Sequence, residues 1–144
     1  MPISEIGAVE KLTAQLDSNN LVQYQLPLVS LNGDGTKQSI ELNPLIGKKI
    51  SLHFSGIIAC KNCGKRTKKS YSQGYCYPCM AKLPQCDMCI MKPETCHLHL
   101  GTCRDPQWGE SNCMVDHYVY LANSSGLKVG ITRHTQLPTR WIDQ

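Results

Sequence analysis

Hydrophobic and polar residues alternate over two segments in the first part of the chain. In "LVQYQLPL" the residues Val22, Tyr24, Leu26 and Leu28 share one face, and two glutamines lie on the other. This period of two predicts a β-strand, because successive side chains of a strand point to opposite faces. Pro27 lacks the N–H that a sheet ladder uses, so the strand is predicted to lie at a sheet edge.

The segment "KKISLHFSGII" alternates in the same way and predicts a second strand, with Ile50, Leu52 and Phe54 facing inward. The start of the chain is ambiguous, because its apolar residues also fit a helix face that Gly7 weakens. These apolar residues are Ile6, Val9, Leu12 and Leu16. We interpret residues 1–59 as a small, β-rich N-terminal region.

Two short apolar segments in the last part of the chain, "YVYLA" and "LKVGI", flank an "NSSG" turn. Such a pattern predicts a β-hairpin. In "LPTRWIDQ", which follows, Pro138 near the first turn favours the start of a helix. A hairpin and a helix start bury little surface. Residues 118–144 are therefore expected either to pack on the preceding region or to belong to a longer protein.

All nine cysteines lie between residues 60 and 117. The N-terminus has no basic stretch followed by an apolar one, so no signal peptide is predicted. No run of eighteen apolar residues predicts a membrane span. We therefore expect a cytoplasmic protein, in which thiols stay reduced and clustered cysteines favour metal ligation over disulfides.

Two Cys-x-x-Cys pairs open this cysteine-rich region, Cys60 with Cys63 and Cys76 with Cys79. A tight turn within each pair lets both sulfurs reach one ion at about 2.3 Å. The twelve residues between the pairs are close to the spacing of zinc ribbons and treble clefs. Gly64 follows the first pair, where the backbone must bend sharply. The spacing predicts a four-thiolate zinc site.

A third pair, Cys86 and Cys89, has no fourth pair to match it. Cys96 and Cys103 follow with six-residue spacings, and they complete the set that we favour for a second zinc ion. The alternative ligands are His97, Cys113 and His117. Three other histidines are predicted to be surface or packing residues, namely His53, His99 and His134.

Structural zinc suits a region with so little large apolar volume. A thioredoxin-type dithiol needs a single Cys-x-x-Cys pair within a βαβ unit, and three pairs without that unit argue against it. Zinc binding by finger peptides contributes about 10–16 kcal/mol, whereas a whole domain is stable by only about 5–15 kcal/mol. We therefore expect residues 60–117 to unfold without metal.

The predicted fold is α+β, mostly β and loop-rich. A small zinc-ribbon or treble-clef-like centre is expected between the N-terminal β region and the C-terminal hairpin and helix start.

The formal charge of +4 says little about partners, because two four-thiolate zinc sites would bring it to about zero. The local charge is more informative, since six basic residues, no acidic residue and three tyrosines lie between Cys60 and Leu83. Basic side chains contact phosphates, and tyrosine rings stack on unpaired bases. The candidate ligands of RNA, a ribonucleoprotein or DNA are Lys61, Lys65, Arg66, Lys68, Lys69, Tyr71, Tyr75 and Tyr77.

Two other interpretations of the basic span remain open. The cations can neutralise the negative zinc–thiolate centre, as groups around such sites do. Alternatively, zinc can scaffold a surface for another protein, without any role for nucleic acid.

Several segments together resemble a bacterial family of unknown function: "GKRTKKSYSQGYCYPC", "CDMCIMKPETCH", "GTCRDPQWGE" and "YVYLANSSGLKVGITR". Members of that family join a cysteine-rich segment to a domain similar to the GIY-YIG endonuclease fold. The resemblance covers residues 40–144. It also implies that members continue past "RWIDQ", so the chain is expected to stop early in that domain.

The GIY-YIG likeness implies candidate catalytic residues. Tyr120 in "YVY" and Gly130 in "KVG" match the two triplets, and Arg140 falls where the family has its catalytic arginine. In that family a tyrosine-activated water attacks a phosphodiester, the arginine stabilises the phosphate, and a later glutamate binds a divalent metal. Tyr118 and Lys128 depart from the triplets, and the glutamate would lie beyond the end of this chain. This chain alone is therefore expected to be inactive, although it can be part of a metal-dependent endonuclease.

Overall fold

The computed structural model describes residues 4–32 and 34–143. The backbone packs into two compact units, one ending at Ser70 and the other beginning at Tyr71. Each unit holds one antiparallel sheet, and most of the remaining residues lie in short helices, turns and loops. The predicted α+β class is thereby confirmed. The division into residues 1–59, 60–117 and 118–144 stays a prediction.

The N-terminal unit is built around one long strand. Its strands are β1 (Ala8–Val9), β2 (Thr13–Leu16), β3 (Val22–Val29) and β4 (Lys37–Glu41). Strand β3 pairs antiparallel with β1 and β2 along one edge and with β4 along the other. Ala14 and Leu28 are buried and form its small core. The segment that fitted either a helix or a strand thus contains the strands β1 and β2, because both pair with β3.

The prediction that Pro27 marks an edge strand is wrong, because β3 is the central strand of its sheet. The Pro27 carbonyl accepts a hydrogen bond from the Glu10 backbone N–H at 3.0 Å. In an antiparallel strand the nitrogen and the oxygen of one residue face the same side. The proline nitrogen therefore faces the gap between β1 and β2, where the ladder needs no donor.

The strand predicted in "KKISLHFSGII" does not form, and residues 49–57 are irregular. Ile50, Leu52 and Phe54 are exposed to 59%, 81% and 70%, so the predicted inward face is wrong. A strand needs a neighbour to satisfy its backbone N–H and C=O groups, and among the described residues no sheet strand pairs with this segment. Alternation alone does not supply that neighbour.

The C-terminal unit begins with short helices: α1 (Tyr77–Lys82), α2 (Met88–Met91) and α3 (Pro106–Asn112). Single 3₁₀ turns separate them at Pro84–Cys86, Pro93–Thr95 and Leu98–Leu100. Proline lies in the first turn of α1 and α3, where its missing N–H costs nothing. Asp105 caps α3, because its Oδ1 accepts a hydrogen bond from the Trp108 backbone N–H at 3.0 Å.

The predicted C-terminal hairpin and helix start are confirmed. Strands β5 (His117–Asn123) and β6 (Leu127–Arg133) pair antiparallel, with Tyr120 opposite Gly130. A 3₁₀ turn follows, and α4 spans Thr139–Ile142. Among the residues that the structure describes, no helix is long and apolar enough to cross a bilayer.

Candidate metal centre

The first cysteine pair lies in a tight backbone knuckle. Ala59 and Arg66 form an antiparallel bridge that closes it. Within the bridge the Cys60 N–H donates to the Lys65 carbonyl at 2.9 Å, and the Gly64 N–H donates to the Cys60 carbonyl at 2.8 Å. Gly64 has a φ of +71°, which glycine adopts without strain. The sharp bend expected after the first pair is therefore confirmed.

The second pair is set by a turn and a helix start. Tyr71 and Tyr75 form a second antiparallel bridge, which leads the chain into α1. Cys76 is the N-cap of that helix, and Cys79 lies in its first turn. The Met80 N–H donates to the Cys76 carbonyl at 2.9 Å, so the helix begins at this cysteine. Residues three apart at a helix start lie on one side, which brings both sulfurs together.

The sulfurs of Cys60, Cys63, Cys76 and Cys79 all lie within 4.8 Å of one another. A tetrahedral site with metal–sulfur bonds of about 2.3 Å separates its sulfurs by about 3.8 Å, so this set is close to ligating geometry. Cys60 and Cys76 are buried, whereas Cys63 is exposed. The predicted four-cysteine cluster can therefore hold a metal ion.

A second group of possible ligands comprises Asp87, Cys89 and His97, whose ligand atoms also lie within 4.8 Å of one another. His97 Nε2 lies 3.1 Å from Asp87 Oδ2, and His97 Nδ1 lies 2.8 Å from the Thr102 hydroxyl. Arg104 Nε lies 3.2 Å from the same Asp87 oxygen. Sequence reasoning missed Asp87 and Arg104, although an acid inside "CDMC" was visible in the sequence.

The Asp87 carboxylate stays charged in this setting. Burial raises the pKa of Asp87, but the hydrogen bond with His97 and the positive charge of Arg104 outweigh it. The pKa of this carboxyl therefore lies below its usual value of 3.8. Arg104 Nη1 also donates to the carbonyls of Met80 and Leu83, at 2.9 Å and 3.0 Å. One guanidinium thus joins the end of α1 to Asp87.

The cysteines predicted for a second ion are only partly brought together. Cys89, Cys96 and Cys103 line one small cavity, which Cys113 also lines. Cys86 ends the 3₁₀ turn Pro84–Cys86 and is not among the described residues that line the cavity. The choice of ligands for a second metal stays a prediction.

The remaining histidines are placed outside both groups. His117 is exposed, and its Nδ1 lies 2.6 Å from the Val115 carbonyl. His53, His99 and His134 are exposed, which confirms them as surface residues.

The five basic residues of the predicted nucleic-acid ligands are all exposed. Among the described residues, no salt bridge involves Lys65, Arg66 or Lys68. Of the tyrosines, Tyr71 and Tyr77 contact each other edge to face, with ring centroids 5.6 Å apart, and Tyr77 is 60% exposed. The exposed cations are Lys61, Lys65, Arg66, Lys68 and Lys69.

The two residues implied by the GIY-YIG likeness lie in the C-terminal unit. Tyr120 is half-buried on β5, and its ring packs against Gly130. Arg140 lies on α4 and is exposed. The site roles of both residues stay predictions.

These features define a small α+β protein with a four-cysteine cluster that can hold a metal ion. Residues 47–144 match the family described as a protein of unknown function, DUF2797, and the chain belongs to this family. No curated protein and no solved structure matches the sequence of this chain. The resemblance to a family of unknown function is thereby confirmed, while its bacterial origin and its link to GIY-YIG enzymes stay predictions.

Proposed function

We propose that the protein is a zinc-stabilised nucleic-acid-binding protein. Zinc is the ion that we propose for the cluster of Cys60, Cys63, Cys76 and Cys79. An all-sulfur tetrahedral set selects zinc or iron over the oxygen-preferring Mg²⁺ and Ca²⁺. Elemental analysis of the purified protein distinguishes zinc from iron. The ion would fix the loops that carry the basic residues.

The observation that carries the proposal is that three cationic side chains close in sequence to Cys63 are exposed and form no salt bridge among the described residues. These side chains are those of Lys65, Arg66 and Lys68. Lys65 and Arg66 lie in the closing arm of the knuckle. Cations on an ordered backbone release condensed counterions when they meet phosphates, and this release drives binding.

Tyr77 supports single-stranded nucleic acid over duplex DNA. Tyr77 is 60% exposed, and its ring packs against that of Tyr71 with the centroids 5.6 Å apart, so part of its surface is available for stacking. Stacking of one base on an aromatic side chain contributes about 1–3 kcal/mol. We expect Tyr77→Ala to weaken binding of single-stranded RNA by this amount, and Tyr77→Phe to preserve it.

The decisive test is a salt titration of binding to a single-stranded RNA by fluorescence anisotropy. Lys65→Glu with Lys68→Glu is expected to weaken binding at least about tenfold at ~0.1 M salt and to flatten the salt dependence. The matched control is Lys11→Glu with Lys92→Glu, because these lysines are also exposed and lie outside the basic span. Equal affinities for both double variants would refute the nucleic-acid proposal. A protein without salt-sensitive binding would instead fit a zinc-scaffolded protein-interaction module.

A second candidate function is part of a GIY-YIG-type phosphodiesterase. The pairing of Tyr120 with Gly130 across the hairpin favours it, because it puts the matching residues of the two triplets opposite each other. Tyr120 would activate water and Arg140 would hold the phosphate. We expect no cleavage by this chain, and Mn²⁺- or Mg²⁺-dependent nicking by any longer natural chain that contains it and adds a metal-binding glutamate. If such a chain does not nick DNA or RNA, only the binding function remains.

A further inference from the structure

We propose that Cys89, Cys96, Cys103 and Cys113 form a second metal centre, with Cys86 outside it. This inference rests on the proposal that the protein holds structural metal, and it does not depend on nucleic-acid binding. It replaces the ligand set favoured by sequence spacing, in which Cys86 took the place of Cys113.

The four cysteines line one cavity in the C-terminal unit. Its volume is about 20 Å³, which matches the space that one water-sized probe occupies and is therefore sufficient for a single ion. The lining also includes the apolar side chains of Ile90 and Leu98 and the charged or polar side chains of Asp87, His97 and Arg104. Among the described residues, no three of the four sulfurs lie within 4.8 Å of one another, so an ion would have to draw them inward from the cavity wall. Four thiolates that line one cavity of this size can then complete a tetrahedral site.

The local fold brings each sulfur from a different segment. Cys89 lies on α2, and Cys96 follows the turn Pro93–Thr95. Cys103 comes shortly before α3, and Cys113 is the C-cap of that helix. Among the described residues from Cys86 to Cys113 only Gly109 is fully buried, so a shared ion would tie these segments together.

Helix α3 holds the Cys103 sulfur in place. The Cys103 Sγ lies 3.4 Å from the Asp105 carbonyl, to which the thiol donates a hydrogen bond. A Cβ added at the buried Gly109 would lie 3.3 Å from the same sulfur. This distance is shorter than an ordinary van der Waals contact between carbon and sulfur, so glycine allows the helix to approach the ligand.

Asp87 and His97 are better suited to support this centre than to ligate its ion. Both ring nitrogens of His97 are engaged, with Asp87 at 3.1 Å and with the Thr102 hydroxyl at 2.8 Å. The Asp87 oxygen that meets His97 also meets Arg104 at 3.2 Å. Such a network fixes the loops around a metal site, as hydrogen-bonded partners of ligands commonly do.

The test is metal counting by native mass spectrometry, one serine variant at a time. We expect two ions in the wild-type protein and one ion in each of Cys89→Ser, Cys96→Ser, Cys103→Ser and Cys113→Ser. Cys86→Ser is the matched control, and it is expected to keep two. Loss of an ion from Cys86→Ser, or two ions in Cys113→Ser, would overturn the assignment. A wild-type protein with a single ion would also overturn it.

A second comparison guards against variants that merely misfold. Imidazole nitrogen can replace a thiolate on zinc, so Cys113→His is expected to keep both ions where Cys113→Ser keeps one. In cobalt-loaded protein, the sulfur-to-metal charge-transfer absorption should fall by one thiolate in Cys113→His and stay unchanged in Asp87→Asn. If Asp87→Asn or His97→Gln loses the second ion while Cys113→Ser retains it, the Asp87, Cys89 and His97 group is the true site. Because the readout is metal content, a failed RNA-binding assay leaves this result unaffected.

Discussion

The Tyr120 ring lies directly over Gly130, its partner across the C-terminal hairpin. A Cβ added at Gly130 would lie 2.6 Å from the Tyr120 Oη and 2.8 Å from its Cε1. These distances are far below van der Waals contact, so a side chain at position 130 and the observed position of the ring exclude each other.

Gly130→Ala is therefore expected to displace Tyr120 and to destabilise the protein by about 1–3 kcal/mol, the usual range for overpacking. Denaturant unfolding measures this loss. In a Tyr120→Ala background the same glycine substitution should cost much less, because the ring is gone. Equal costs in the two backgrounds would contradict the contact.

Removal of metal is expected to unfold the knuckle and the start of α1 but not the N-terminal sheet. The Cys60–Lys65 and Gly64–Cys60 hydrogen bonds close a turn with little apolar packing of its own, whereas β3 is paired on both edges. Amide hydrogen exchange before and after treatment with a chelator reports both regions. Protection retained at Cys60 and Gly64 in metal-free protein would contradict a structural role for the ion.

Asn43 completes the N-terminal sheet with its side chain. Its Oδ1 accepts a hydrogen bond from the Tyr24 N–H at 2.7 Å, and its Nδ2 donates to the Val22 carbonyl at 2.8 Å. Asn43→Ala is expected to cost about 1–3 kcal/mol, because two partly buried backbone groups lose their partners. Asn43→Asp should also destabilise, since a carboxylate then faces the Val22 carbonyl.

The control for this substitution is Asn19→Ala. Asn19 is exposed, and within the described part of the chain it forms a hydrogen bond through its backbone N–H and none through its side chain. Urea unfolding of the three variants compares them directly. If Asn43→Ala and Asn19→Ala have the same effect, the amide of Asn43 does not stabilise the sheet.

Asp17 makes the turn between β2 and β3 sensitive to acid. Its carboxylate accepts hydrogen bonds from the backbone N–H groups of Leu21 and Asn19 and from the Gln23 amide. These bonds, that of Leu21 first, lower the pKa of Asp17 below 3.8. The charged form is thus favoured in the folded state. Its stabilisation is complete above pH 3.8 and is lost as the pH falls through the folded pKa.

The stability difference between wild type and Asp17→Asn should therefore be constant at neutral pH and shrink in acid below 3.8. NMR signals of β3 in urea measure this difference without depending on the metal. A difference that grows as the pH falls would reverse the assigned direction of the pKa shift.

Several elements could be predicted from the sequence because their signals are local. Alternation located β3, two apolar segments around an "NSSG" turn located the C-terminal hairpin, and the Cys-x-x-Cys spacing located the cluster that begins at Cys60. The failures concern long-range partners. Alternation in residues 49–57 does not indicate whether another strand is available to pair with them, and among the described residues no sheet strand does. The presence of Pro27 likewise does not indicate that a gap between β1 and β2 lies opposite its nitrogen.

The proposed replacement of Cys86 by Cys113 in the second centre concerns the same kind of long-range information. The Cys-x-x-Cys pair with Cys89 favoured Cys86, but the chain from Cys86 to Cys113 consists of short helices and 3₁₀ turns, several of which begin at a proline. Each turn redirects the chain, so distance along the sequence says little about distance between sulfurs. Asp87 and Arg104, which organise these turns, lie seventeen residues apart and show no periodic signal.

Arg104 is expected to stabilise the C-terminal unit through geometry as well as charge. Its Nε meets Asp87 at 3.2 Å, while its Nη1 donates to the carbonyls of Met80 and Leu83. Only a planar guanidinium reaches an acid and two carbonyls at once. Arg104→Lys should therefore destabilise the metal-loaded protein nearly as much as Arg104→Gln, by about 1–3 kcal/mol.

The control is Lys92→Gln, which removes the charge of an exposed side chain and should change stability by less than about 0.5 kcal/mol. Thermal unfolding at fixed metal concentration measures all three, and full stability in Arg104→Lys would show that charge alone is sufficient.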